Sequence, residues 1–434
     1  MNLEGIRSTY VHQAIAARIS RISRYYDELI PHLPVPHDSG ELLRMIECPG
    51  KPGVTALDAG PAPDRRRAVL INGTFNHSLD IQKILEDLHP KLGREDRVIA
   101  VAYNPYLRFL YALGNALGLR KGELPFTFLR VVDMEGLAQL SGYELVSHSL
   151  CGYSPFHLGG LGWLINRVMP FLPVLRWLAF GCVLVLRPRM GRKERPGLTV
   201  VIPARNELGN IEAAVERMPD LGCPLEVIFV EGHSSDGTWE EIERVRQSYG
   251  QRMLIRSARQ TGKGKADAVR LGFSMATMPL LTILDADLTM PPEMLGRFYE
   301  AYVQGSGDFI NGSRLLYPME GEAMRPLNHL GNVFFARSLS YVLGIRLGDS
   351  LCGTKLLARH DYERMRAWRR DFGDFDPFGD FELLFPAAVL ELGVVNVPIR
   401  YAARTYGSTN ISRFRHGFEL LRMTIIGFFR IRCR

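Results

Sequence analysis

The chain has 434 residues, 46% hydrophobic, 10% aromatic and 23% charged, enough at ~150 residues per domain for two or three domains and unlike a disordered or collagenous chain. Lys and Arg outnumber Asp and Glu 53 to 46, a formal charge of +7; this suits phosphate-bearing ligands or an anionic membrane, and without an aromatic-basic motif it argues against nucleic acid. Cys48, Cys151, Cys182, Cys223, Cys352 and Cys433 form no C-x-x-C pair, which excludes a zinc site or disulfide scaffold and fits a reducing cytosol.

From the start of the chain, residues 1–24 interrupt their apolar positions with Arg7, His12, Arg18, Arg21 and Arg24, so no signal peptide is expected. Residues 68–71 read as a strand, residues 79–88 as a helix with Ile81, Ile84, Leu85 and Leu88 on one face, and residues 98–103 as a second strand. That alternation predicts parallel α/β structure. Asp133 is placed to cap a helix running to Gly142, and residues 143–146 and 182–186 read as later strands. The most membrane-like stretch, 158–186, is broken by Arg167, Pro170, Pro173 and Arg176, which a spanning helix would rarely carry. No transmembrane helix is expected, and the sequons at Asn72, Asn76, Asn311 and Asn410 read as chance matches in a chain that is not secreted.

Residues 187–197 are almost wholly basic, Pro and Gly. They divide the chain into a first domain, 1–188, a linker, 189–197, and a second domain, 198–434. Strand and helix signals then alternate again: strands at 198–202, 225–231, 280–285 and 309–312, helices at 211–218, 239–246 and 265–276, and another helix opened by Pro292. In such open α/β sheets ligands bind beyond the carboxyl ends of the strands. The first of these ends runs into Pro203-Ala204-Arg205-Asn206-Glu207, the second into Glu231-Gly232-His233-Ser234-Ser235-Asp236-Gly237-Thr238. Carboxylates there can accept from a base N–H or ribose hydroxyl. Alone, each loop reads first as an ordinary turn with a helix cap at Asp236 or Thr238 and only second as a ligand loop.

Leu284-Asp285-Ala286-Asp287 is sharper. The pleat of a strand would aim both acids the same way, and two charges about 6 Å apart repel by ~3 kcal/mol at an effective dielectric of about 20. A Mg²⁺ or Mn²⁺ ion would remove that repulsion and couple the acids to a diphosphate. Gly262-Lys263-Gly264-Lys265-Ala266 opens the next helix, so amides and ammonium groups there can meet phosphate, or the segment is a solvated turn; it lacks the Walker A spacing.

In this order the motifs resemble glycosyltransferase family 2, in its dolichyl-phosphate mannosyltransferase-like branch, over residues 198–406. Residues 200–207, 230–238 and 262–266 are similar to the family's nucleotide loops, L-D-A-D-L-T-M-P-P-E at 284–293 to its D-A-D-L-Q-H-P-P-E, and Asn311-Gly312-Ser313-Arg314 to its G-S-R, while 349–355 stand at its acceptor loop. The resemblance implies a GT-A fold, a nucleoside-diphosphate sugar donor such as GDP-mannose or UDP-glucose, a divalent metal (Mg²⁺ or Mn²⁺) and inversion at the anomeric carbon. By position, Pro203, Ala204, Glu207, Glu231 and Asp236 would line the nucleoside site, Lys265 the phosphates, and Asp285 the nucleotide or metal; Asp287 would hold the metal, and Arg314 and Arg404 would face phosphates. Glu231-Gly232 stands where the family has paired aspartates, Thr289 where it has a glutamine, and His233 where it has a glycine.

Asp380 and Glu382 precede an apolar helical run and can supply a base for a hydroxyl acceptor or cap that helix. A polyprenyl phosphate acceptor is already ionised and needs no base. The tail, with Arg413, Arg415 and His416 before the apolar 423–429, can lie on an anionic surface near a lipid phosphate or dock as a C-terminal helix. The expected location is cytoplasmic, peripheral at the inner face of the membrane. Residues 10–188 are similar to class I S-adenosylmethionine-dependent methyltransferases, with residues 69–76, 81–88 and 97–105 resembling that family's later strands and helix. The G-x-G-x-G turn is absent between Pro31 and Arg67, where only Gly50, Gly53 and Gly60 occur. A degenerate domain that does not methylate, acting as a binding or assembly module, is expected; a residual methyltransferase is the alternative.

Overall fold

The strongest runs of β-branched and aliphatic residues become central strands of two separate sheets. The structure, a computed structural model, describes residues 9–32, 65–118, 123–156, 158–172, 174–317, 326–372, 379–404, 406 and 413–432. The chain divides into two units, Met1–Met190 and Gly191–Arg434.

In the first unit, β1 (Glu28–Pro31), β2 (Arg67–Asn72), β3 (Arg97–Tyr103), β4 (Tyr143–Cys151) and β5 (Gly181–Pro188) lie in the order β1-β2-β3-β5-β4. The first three are parallel, as expected, but β5 runs antiparallel to both β3 and β4. A run buried on both faces shows burial and not direction, so the sequence pattern could not separate the two cases. Helix Ile81–Leu88 buries Ile81, Leu85 and Leu88, and Asp80 accepts from the Lys83 amide at 2.9 Å to cap it. Asp133 is not the cap of its helix, Val131–Leu140: it stands in the first turn and accepts from the Arg130 amide at 3.0 Å. Residues 33–64, where the glycine-rich turn is missing from the sequence, lie outside the described residues.

The second unit holds β6 (Leu198–Ala204), β7 (Leu225–Glu231), β8 (Leu254–Arg259), β9 (Leu280–Ile283), β10 (Phe309–Ser313), β11 (Lys355–Ala358) and β12 (Val394–Pro398). Their order is β12-β10-β11-β9-β6-β7-β8. Strands β9, β6, β7 and β8 are parallel, β10 pairs parallel with β12, and β11 is antiparallel to both neighbours. This is a mixed α/β sheet. Val200, Val227, Phe229 and Leu280 join one core with Ile242 and Phe298 from the covering helices. Residues 191–197 belong to this unit: the Arg192 amide donates to Val303 O at 2.7 Å, and Arg192 and Arg195 stack on Tyr302 and Tyr299.

Helix Lys265–Met275 buries Ala266, Val269, Gly272 and Phe273. Gly272 is there for closeness, because a Cβ at that position would overlap the Val201 side chain of β6. Gly272→Ala is expected to cost ~1–3 kcal/mol by overpacking, read as a lower urea midpoint with an unchanged m-value. Among the described residues no helix is long and apolar enough to cross a membrane.

Candidate active site

The loops beyond β6, β7, β8 and β9 converge on one edge of the second sheet. Of the described non-glycine residues, five have positive φ, and three of them are Asn206 (55°), His233 (61°) and Leu288 (53°), just past β6, β7 and β9. Such strained backbone persists where surrounding contacts over-determine it. His233 thus takes a conformation that a glycine adopts freely, and its Nε2 lies 3.1 Å from Gly262 O, tying the β7 loop to the turn before helix Lys265–Met275.

β9 ends at Ile283, so Asp285 and Asp287 do not continue its pleat as the sequence reading expected. They lie in a turn closed by the Leu288 amide on Asp285 O at 3.2 Å, because the chain must leave the sheet before the acids. Their partners differ. Asp285 pairs with Lys265. Asp287 accepts from Arg404 Nη2 at 2.6 Å and from the amide and hydroxyl of Thr289 at 3.1 and 2.8 Å. Thr289, at the position where the resemblance has a glutamine, therefore orients Asp287.

Arg404 also reaches Glu207 Oε1 at 3.2 Å, so one guanidinium joins the β6 loop to the β9 turn. The other Glu207 oxygen accepts from Asn210 at 2.7 Å. Burial pushes the Glu207 carboxyl up, Asn210 and Arg404 oppose this, and the neighbouring Asp287 and Asp236 charges add to the rise. Glu231, buried at the end of β7, accepts from the Ser234 amide at 2.5 Å. Asp236 accepts from the Thr238 amide at 3.1 Å at the start of helix Thr238–Tyr249, and from Leu208 N and the Tyr406 hydroxyl, each at 3.3 Å. Pro203 and Ala204 end β6 beside Val230 and Glu231.

Lys265 and Asp285 each keep about a third of the side chain exposed, 31% and 33%. Burial alone would lower the Lys265 ammonium, but Asp285, with Asp380 and Asp287, more than offsets this and raises it. Asp285 is held below the usual carboxylate range despite burial, first by Lys265 and then by Lys355 and Arg314. Asp380 pairs with the fully buried Lys355, and its side chain makes no cap bond to helix Phe381–Val389. Glu382 is tied to Arg270 at 2.7 Å and to Arg369 at 3.5 Å. Arg314 is engaged by Asp349 through two bonds of 2.6 and 3.0 Å and lies over the Tyr401 ring.

Asp349, Gly353 and Lys355 lie in the segment 349–355 that the sequence reading set at the acceptor loop, but it gave none of them a role of its own. A lysine heading the otherwise apolar run Lys355-Leu356-Leu357-Ala358 was an available signal, since a lysine enters a sheet core only with a partner. Among the described residues no group of three or more His, Cys, Asp or Glu could hold a metal ion. Asp285 and Asp287, both in the β9 turn, could serve as hard-oxygen donors to an ion of the Mg²⁺ type, which binds through one or two carboxylates and substrate phosphates.

A family model described as Glycosyl transferase family 2 matches residues 199–365. The chain is 30% identical over 226 residues to a dolichyl-phosphate hexose transferase of Haloferax volcanii, covering 51% of this chain and 89% of that protein. It is 34% identical over 119 residues to a dolichol-phosphate mannosyltransferase of Pyrococcus furiosus, covering 27% of this chain and 33% of that protein. A solved mannosyltransferase from Pyrobaculum calidifontis, in complex with GDP-Man and Mn²⁺, is 17% identical, with a TM-score of 0.38 over 55% of this chain and 71% of that one.

Proposed function

This chain belongs to glycosyltransferase family 2 and is a glycosyltransferase; from that premise we propose that it moves a hexose from a nucleoside-diphosphate sugar to a polyprenyl phosphate, with inversion, on a GT-A fold. The observation that carries the reading is the ionic chain Glu207–Arg404–Asp287 beside the Asp285–Lys265 pair, at the sheet edge where such folds bind nucleotides. Glu207 and Glu231 accept from the nucleoside, and Lys265 and Arg404 meet the diphosphate. A phosphate oxygen of the acceptor attacks the anomeric carbon from the face opposite the diphosphate. The carbon–oxygen bond to the leaving group breaks, and the nucleoside diphosphate departs with the bonding pair. Asp285 and Asp287 would hold a Mg²⁺ or Mn²⁺ ion, which supplies charge neutralisation for the departing diphosphate.

The Haloferax volcanii relative is a dolichyl-phosphate hexose transferase, which supports an isoprenoid phosphate here. So does an apolar cleft of about 670 Å³ between helices Pro326–Leu343 and Arg413–Gly427, lined by Phe334, Arg337, Ile425 and Phe429, suited to an isoprenoid chain at a membrane surface. A second reading, transfer to a hydroxyl of a glycan or natural product, would use Asp380 or Glu382 as the base that takes the hydroxyl proton. Asp380→Asn separates the two by the ratio of rates: an equal change with both acceptors fits the first, and a loss many-fold larger with hydroxyl acceptors fits the second, whatever the variant does to stability through Lys355. The test of the whole is sugar transfer to short-chain polyprenyl phosphate from GDP-mannose and UDP-glucose with Mn²⁺; no transfer and no donor hydrolysis from either would overturn it.

Gly353 supplies a sharper check, because a methyl at that position would overlap Lys265 Nζ and an Asp285 oxygen. Gly353→Ala is expected to raise the donor KM by about 10-fold or more with an unchanged circular dichroism spectrum. The first unit is read as a module that does not methylate, and micromolar binding of S-adenosylmethionine in calorimetry would contradict that.

A further inference from the structure

We propose that the first unit docks on an anionic bilayer surface through a face built from helix Arg108–Ala116 and the segment from Leu161 to Leu178. Phe109, Leu113 and Leu117 recur at helical spacing and are 65%, 50% and 62% exposed. Leu161, Leu164 and Val168, on helix Leu161–Val168, are 54%, 47% and 42% exposed. Both helices thus turn apolar residues outward, the reverse of the pattern of a helix facing water, and exposed apolar surface of this kind marks an interaction site. The two segments adjoin: the Tyr106 and Trp177 rings meet edge-to-face at 6.0 Å, and Asn104 Nδ2 donates to Trp177 O at 2.8 Å.

The chemistry of the face selects the occupant. Trp163 and Trp177 are about half exposed, and each carries a guanidinium over its ring, Arg167 at 5.3 Å and Arg176 at 5.6 Å. Aromatic rings with an apolar body and a cationic rim are what the headgroup region accepts. Residues 105–117 and 158–178 contain no Asp or Glu, and their cations are Arg108, Arg167 and Arg176, which suits an anionic leaflet. A second copy packed through the same face would set Arg against Arg, because a two-fold interface apposes a patch to itself. Pro170 and Pro173 interrupt the segment and no described helix can span a bilayer, so the face lies on the membrane. This inference does not rest on the acceptor reading, since every residue in it belongs to the first unit.

The test uses the full chain with phosphatidylcholine vesicles containing roughly 30% phosphatidylglycerol. The wild type is expected to float with these vesicles, and its tryptophan fluorescence to be quenched by brominated lipid. Trp163→Ser with Trp177→Ser should lower the bound fraction by about 10-fold or more, and Arg167→Glu with Arg176→Glu should weaken binding to anionic vesicles. Trp163→Phe with Trp177→Phe should keep the binding but lose most of the quenching, leaving the signals of Trp239 and Trp368. The proposal is overturned if the wild type binds no vesicles, if the serine variant binds as well as the wild type, or if quenching survives the phenylalanine variant. It is also overturned if the serine variant merely converts a dimer to a monomer in sedimentation. None of these readouts involves sugar transfer, so failure here and failure of the transferase reading are distinct.

Discussion

Asp287→Ala is expected to lower kcat/KM for sugar transfer by about 100-fold or more, the order seen when one preorganised electrostatic group is removed from a site of developing charge. The side chain accepts from Arg404 Nη2 and from the amide and hydroxyl of Thr289, so its position is set before any ligand arrives. It is one of two carboxylates in the β9 turn that would hold a divalent ion, and its loss also takes from Arg404 one of its carboxylate partners, leaving the bond to Glu207. The Arg404–Asp287 pair is partly exposed, 24% and 15%, so the stability cost should be modest, on the order of 1 kcal/mol. Activity should therefore fall far more than the thermal midpoint. Arg404→Ala tests whether Asp287 acts only by holding that guanidinium: equal losses in the two variants would assign the effect to Arg404. A decrease of less than about threefold in Asp287→Ala would remove the acid from the proposed chemistry.

The largest stability effect is expected at Asp349→Ala. Asp349 is fully buried, Arg314 is 12% exposed, and the two share bonds of 2.6 and 3.0 Å. Removing the carboxylate leaves a nearly buried guanidinium without its main counter-charge, a change that typically costs ~3–5 kcal/mol. Replacing both residues, as Arg314→Met with Asp349→Leu, should recover part of that loss in urea denaturation, because the uncompensated charge is then gone while the Arg314 and Leu351 amides still lose their acceptor. The pH dependence follows from the same pair. Burial would raise the Asp349 carboxyl, but Arg314 more than offsets this and holds it below the usual range. A depressed carboxylate stabilises the fold above its ordinary pKa of about 4, and that contribution is lost as pH falls through the folded value. The acid limb of the stability curve should therefore be shallower in the double variant than in the wild type.

The parts of the site that were legible in the sequence are those carried by consecutive residues. Pro203 to Glu207, Glu231 to Thr238 and Leu284 to Asp287 each follow an apolar run, so their place beyond a strand end could be read from local pattern. The ionic partners could not. Arg404 meets Glu207 and Asp287, and Lys355 meets Asp380, from segments far apart in the chain whose approach depends on how the sheet is ordered. Arg314 illustrates the limit: its motif was legible from consecutive residues, while its pairing with Asp349 depends on the fold. Strands β1, β8, β11 and β12 were not read from the sequence; β8 mixes Arg and Ser into its apolar residues, and β11 opens on a lysine.

What the sequence by itself determined was the α/β class, the approximate place of the main strands and helices, and the acids at the end of β9, because periodicity and turn chemistry act over a few neighbouring residues. Only the tertiary structure decided that β5 and β11 run against their neighbours, that Asp285 and Asp287 leave the pleat to take different cations, and that apolar residues face outward on the first unit. Strand direction, ion pairing and exposure are properties of groups brought together from distant segments, and their energies depend on burial and geometry that no short stretch of residues encodes.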